Sequence, residues 1–232
     1  MTTCVRRQNV ILGCISAVCL LLAGHAFAES HSMNCDGDLP KTHAALAAGD
    51  QDSGNHLQLS RKIAAATPID IDVCSADLIV VGSKSDVFQV ILDIANPAAK
   101  ATALDYVQSL NVAPDGVKLQ LRLPKHAQAK VVVEVPVGTE KLSVNLARGD
   151  LSFETDRIGG DREINVVHGH IDVEANPNSF ASMHVNTVMG SFHDRRLGKE
   201  AHGLVSQSVE GTGKGSVEVN VVWGSVDLKP WD

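Results

Sequence analysis

Apolar and polar residues alternate over much of the chain beyond Leu59. The pattern is plain in Ile69-Asp70-Ile71-Asp72-Val73, continues through Leu78 to Val81 and Val87 to Ile94, and runs without a fault from Val117 to Leu123. It returns at Val131, Val133 and Val135 and stops at Pro136-Val137-Gly138. A period of two sends successive side chains to opposite faces of an extended chain, so these segments are predicted strands. One segment predicts a helix near 97–110. Asn96 suits an N-cap, Pro97 the first helical position, and Ala101, Leu104, Val107 and Leu110 fall three apart on one face. Such a helix would cover one open face or end of the β structure, and Pro114-Asp115-Gly116 after it predicts a turn.

From residue 136 to 230 the alternation repeats. VNLARGDLSF (Val144 to Phe153), INVVHGHIDV (Ile164 to Val173), VNTVMGSFHD (Val185 to Asp194) and VNVVWGSVDL (Val219 to Leu228) align without a gap. Gly149, Gly169 and Gly190 follow at intervals of 20 and 21, and Gly224 comes 34 residues later. Gly160 to Gly169 and Gly215 to Gly224 are both nine residues, a half-period. A coil of about 20 residues with glycine at a sharp corner predicts a β-solenoid or β-helix-like stack of short strands, with one short helix. The competing architecture is antiparallel, a meander or β-sandwich, since a repeat alone does not fix strand direction.

Alternation sorts the repeat into faces. After each glycine, Leu151 and Phe153, Ile171 and Val173, Phe192, and Val226 and Leu228 point inward. The outward rows are Asp150-Ser152-Glu154, His170-Asp172-Glu174, Ser191-His193-Arg195 and Ser225-Asp227-Lys229. Asp194 takes an inward place, which predicts that its row ends early or bends. Before the glycine, Asn145, Asn165, Asn186 and Asn220 form an outward column. Stacked amides can hydrogen-bond along such a column, a structural role, and the same strip could contact a glycan. Beside it Ala147, Val167, Val188 and Val222 are apolar although nominally outward. They predict either a corner with buried neighbours or a surface covered by the helix or another chain.

The N-terminus changes what is counted. Arg6 and Arg7 precede an apolar run from Val10 to Ala23, and Ala26-Phe27-Ala28 ends the stretch. This reads as a secretory signal peptide over residues 1–28, shorter than the roughly 20 apolar residues of a membrane span. Arg6-Arg7 lacks the context of a twin-arginine signal, and Cys14 stands too early in the apolar run for a lipobox. The expected organisation is a signal peptide (1–28), a flexible arm (29–58) and one β-repeat domain (59–232), made of strands plus the helix over 59–135 and repeats over 136–230. Cleavage leaves 204 of the 232 residues and, by removing Arg6 and Arg7, takes the net charge from -7 to -9. An acidic chain with 3% aromatic residues is a poor partner for nucleic acid. Cys4, Cys14 and Cys19 leave with the signal, and the remaining pair, Cys35 and Cys74, is expected to form a disulfide tying the arm to the first strands.

No catalytic motif is present. His168, His170 and His193 with Asp172 offer imidazole and carboxylate donors that suit zinc, but without HExxH or paired CxxC they are read as solvated surface groups, and no metal or cofactor is expected. Glu154, Asp172, Glu174 and Asp227, near Arg195 and Lys229, keep a β-helix carbohydrate-active enzyme, a polysaccharide lyase or hydrolase, as the alternative. Gly211-Thr212-Gly213-Lys214-Gly215 has the letters of a phosphate loop without a helix to complete it.

Val135-Pro136-Val137-Gly138-Thr139, followed by recurrent Gly-Asp or Gly-Ser among alternating valines, resembles the bacterial adhesin-like family of exported β-repeat proteins. The resemblance runs from about Ile69 to Leu228, with Ala76-Asp77 standing in for Gly-Asp. It implies a β-helix-like fold and a periplasmic, cell-surface or secreted location, and supplies no catalytic residues. The expectation is therefore an exported, non-catalytic binding or structural module of the cell envelope. Its surface glycan or protein partner would meet the polar face formed by Asn145, Asn165, Asn186, Asn220, His170, Asp172, His193 and Asp227.

Overall fold

The computed structural model describes residues 35, 44–98, 100–123, 128–155 and 159–231. The expected signal peptide and residues 29–34 and 36–43 of the expected arm lie outside these residues. The chain is mainly β. Its strands are β1 (Gln51–Asp52), β2 (His56–Lys62), β3 (Ile69–Ser75), β4 (Asp77–Ser83), β5 (Val87–Ile94), β6 (Val107–Ala113) and β7 (Gly116–Leu121). These are followed by β8 (Ala129–Pro136), β9 (Lys141–Arg148), β10 (Leu151–Thr155), β11 (Asp161–Ala175), β12 (Phe180–Asp194), β13 (Lys199–Glu210) and β14 (Gly215–Lys229). All belong to one sheet, curled into a half-barrel.

The curl follows from the glycines. β11, β12 and β14 pass through Gly169, Gly190 and Gly224, while β9 and β10 flank Gly149, and β3 and β4 flank Ala76. Each block is thus a bent rung with one half in each wing of the curled sheet. The first halves pair in parallel as β7-β3-β9-β11-β14-β12, and the second halves as β8-β4-β10-β11-β14-β12. Antiparallel strands extend the sheet: β6 beside β7, β5, β2 and β1 beyond β8, and β13 beyond β12. The repeats are therefore parallel, against the antiparallel alternative. Their stacking order is not chain order, because β14 lies between β11 and β12 and the β3–β4 rung lies between β9–β10 and β7–β8.

Successive rungs approach so closely at the corner that a side chain there would collide with backbone. An added Cβ would lie 1.9 Å from Ala76 O at Gly149, 1.7 Å from Gly149 O at Gly169, 1.6 Å from Gly169 O at Gly224, and 1.6 Å from Gly224 O at Gly190. Three of these glycines also hold positive φ, at 126°, 158° and 147° for Gly149, Gly169 and Gly224. At the corresponding corner of the β3–β4 rung stands Ala76, whose φ is not positive.

The core fills the concave side. Leu142, Val144 and Leu146, Ile164 and Val166, Val185 and Thr187, and Val217, Val219 and Val221 from the first halves are buried, as are Leu151 and Phe153, Ile171 and Val173, Phe192, and Val226 and Leu228 from the second. The inward assignments made after each glycine hold. Asp194 is inward too, 2% exposed, and ends its row: Arg196 Nε and backbone N each donate to Oδ1 at 3.0 Å, and the chain turns there into β13.

The expected helix over 97–110 does not form. A short 3-10 turn at Ala103–Tyr106 gives way to β6 at Val107. Lys100 has φ of 69°, outside helical geometry, and Val107, Leu110 and Val112 pair with Leu121, Leu119 and Val117 of β7 across the turn at Pro114-Asp115. The three-residue spacing was matched by chance, and the β-branched residues follow the hairpin. The 3-10 turn is held by Asp105 Oδ2, which accepts from Thr102 N at 2.6 Å, and by Tyr106 Oη, which accepts from Ala98 N at 2.6 Å.

Cys35 and Cys74 lie at disulfide distance, with their Cα atoms 5.4 Å apart. Among the described residues no helix is long and apolar enough to cross a membrane.

Candidate functional site

The asparagine column is continuous, in an order set by the sheet. Asn186 Nδ2 donates to Asn220 Oδ1, Asn220 Nδ2 to Asn165 Oδ1, and Asn165 Nδ2 to Asn145 Oδ1, each at 3.0 Å, and Asn145 Nδ2 donates to Asp72 Oδ1 at 2.9 Å. Parallel in-register pairing places like residues side by side at strand spacing, the geometry in which amides chain. The second amide hydrogen of Asn165 and Asn220 reaches Glu163 Oε1 at 3.1 Å and Glu218 Oε1 at 3.2 Å. Both ends extend beyond the sequence reading. Ser206 Oγ donates to Asn186 Oδ1, and Gln120 Nε2 donates to Asp72 Oδ2 while accepting from Ser109 Oγ. Asp72 therefore accepts from both sides and terminates two opposing donor chains. Its position was legible, since it precedes Ala76 by four residues as Asn145 precedes Gly149.

On the other wing the parallel register sets His170 opposite Ser225, Asp172 opposite Asp227, and His193 on the far side of Asp227. His170 Nε2 lies 3.0 Å from Asp172 Oδ1 and 3.7 Å from Asp227 Oδ2, while its Nδ1 is 2.6 Å from Ser225 Oγ. His193 Nδ1 is 2.8 Å from Asp227 Oδ1, and the His202 ring on β13 meets the His193 ring edge-on at 6.0 Å. Lys229 Nζ pairs with Asp172 Oδ2 at 2.7 Å and Arg195 with Asp227 Oδ2. Burial raises the Asp227 pKa, but hydrogen bonds from Arg195 and His193 outweigh it and hold the carboxyl below its ordinary value.

The eight polar-face residues expected from the sequence thus form two groups, the four asparagines in one wing and His170, Asp172, His193 and Asp227 in the other. His168 joins neither; it sits at the corner with its Nδ1 3.4 Å from Trp223 O. The apolar column Ala147, Val167, Val222 and Val188 lies along the convex corner. Val167 and Val188 are 46% and 39% exposed there, beside exposed Met189, Leu204 and Trp223, so neither a buried corner nor a covering helix accounts for it. Arg162 is a buried cation at the start of β11. Its NH2 donates to Thr139 O at 2.9 Å, and burial lowers its pKa to about 10, leaving it charged at neutral pH.

No protein-family model and no curated protein matches this chain. Among solved structures it is similar to a protein of Clostridium sporogenes named a "putative cell adhesion protein", with 9% identity and a TM-score of 0.41 over 78% of this chain and 100% of that one. At that similarity neither fold nor role transfers.

Proposed function

We propose that this chain is an exported, non-catalytic module of a bacterial cell envelope, a solenoid-like stack that presents its outward polar faces to a surface glycan or protein. The observation that carries the reading is that the outward polar side chains are engaged by one another in both wings. Asp172 pairs with Lys229, and Asp227 with Arg195 and His193. The amides of the other wing are likewise occupied by their neighbours. What such faces offer is a regular array of shallow polar contacts, which suits multivalent attachment. The apolar run before Ala28 and two cysteines at disulfide distance support export into an oxidising compartment.

A glycan and envelope-polymer array, with product analysis of every bound sample, tests the reading. Binding with the polymer recovered intact is expected. Cleavage products that vanish in Asp172→Asn would establish the carbohydrate-active enzyme instead.

A further inference from the structure

The geometry points to a binding site for a first-row divalent cation of the Zn2+ type on the outer face of β11 and β14, formed by His170, Asp172 and Asp227. One donor atom from each lies within 4.8 Å of the other two. Two donors of one tetrahedral ion, each about 2.1 Å from it, stand about 3.4 Å apart. The 3.0 Å and 3.7 Å separations from His170 Nε2 to the two carboxylates bracket that value.

The surroundings orient these donors. Ser225 Oγ, 2.6 Å from His170 Nδ1, holds the ring with Nε2 facing the two carboxylates; without a metal Nε2–H donates to Asp172 Oδ1 at 3.0 Å, and a metal at Nε2 needs the proton on Nδ1, where Ser225 Oγ is placed to accept it. His193 Nδ1, 2.8 Å from Asp227 Oδ1, fixes that carboxylate from the opposite side. Asp227 has only 5% of its side chain exposed, while His170 and Asp172 keep 33% and 25%, so the site is rooted in the sheet and open to arriving ions. A nitrogen donor beside two carboxylates selects Zn2+ and its neighbours over Ca2+, which takes oxygen alone. In the metal-free protein Lys229 and Arg195 neutralise the two carboxylates. The cation competes with both for the carboxylate oxygens. This site stands whether or not the module reading holds.

The test is calorimetric titration of the untagged, chelator-stripped full chain with ZnCl2, with CaCl2 as the comparison and circular dichroism to verify folding. We expect one Zn2+ per chain and a higher thermal midpoint. His170→Gln and Asp172→Asn, both partly exposed, should each weaken binding at least about tenfold, and His168→Gln should bind as the native chain does. Arg195→Gln should bind Zn2+ more tightly, because Asp227 Oδ2 loses its competitor. No Zn2+ uptake, uptake that survives His170→Gln and Asp172→Asn together, or equal uptake of Ca2+ would overturn the site.

Discussion

Asn220 Nδ2 donates to Asn165 Oδ1 at 3.0 Å although the two residues are 55 apart in sequence, because β14 inserts between β11 and β12. Asn220 is 5% exposed, so the amide that bridges two neighbouring rungs is also nearly out of water. Asn220→Ala should cost about 2 kcal/mol in urea unfolding, with Asn165 and Asn186 each left one partner short. Asn145→Ala, at the more open end of the ladder, should cost about 1 kcal/mol.

Asp72 offers a sharper test of ladder polarity. It accepts from Asn145 on one side and Gln120 on the other. Asp72→Asn keeps the shape but turns an NH2 towards one of those donors, so it should destabilise by about 1–3 kcal/mol at neutral pH. Gln120→Glu in the same background supplies an acceptor on that side, and a double-mutant cycle should show recovery.

The corner column predicts an asymmetry between glycine and alanine. Gly169→Ala places a Cβ 1.7 Å from Gly149 O and should cost about 3 kcal/mol or more, read as a fall in thermal midpoint or as insoluble expression. Ala76→Gly, at the corner whose φ is not positive, should cost no more than about 1 kcal/mol.

Stability should fall in acid. For Asp50, Asp194 and Asp227 burial raises the pKa, but hydrogen bonds and charge from Arg61, Arg196 and Arg195 outweigh it and leave each carboxyl below 3.8. The unfolded chain therefore takes up protons first as pH drops. The contribution of these groups is complete well above pH 3.8 and is lost as pH falls through the lower folded values. Urea midpoints should hold between pH 7 and about 5 and decline below that. Arg196→Gln should make the decline shallower by releasing Asp194.

Joining Cys35 to Cys74 closes a span of 39 residues, which corresponds to about 4 kcal/mol of chain entropy at most. The reduced and alkylated chain should migrate differently in a denaturing gel and melt at a lower temperature. Identical mobility with and without reductant would show that the two thiols are unpaired.

Much of the fold is written in the local pattern. Alternation marks most of the strands from Ile69 onward, β6 and β13 excepted, and sorts Val144 from Asn145 and Ile171 from Asp172, because the two faces of an extended chain meet different solvents. The spacing of Gly149, Gly169, Gly190 and Gly224 marks the corners. The asparagine column was legible as a column, and Asp194 as the end of its row. The region 97–110 misled, because a three-residue spacing of apolar side chains is weak evidence beside the pairing that Val117 to Leu121 offers across a tight turn.

What only the tertiary structure decided is the neighbour relation between rungs. Parallel direction, the insertion of β14 beside β11, and the end position of the β7–β8 pair depend on contacts between segments far apart in the chain, to which a repeat period is blind. Four nearly equivalent blocks can stack in several orders with the same faces buried, so the pattern fixes which residues point outward and leaves open which of them meet. Chain-order stacking would have set Ser191 and His193 beside His170 and Asp172. The observed order brings Ser225 and Asp227 there instead, and with them the oriented imidazole and paired carboxylates on which the cation site rests.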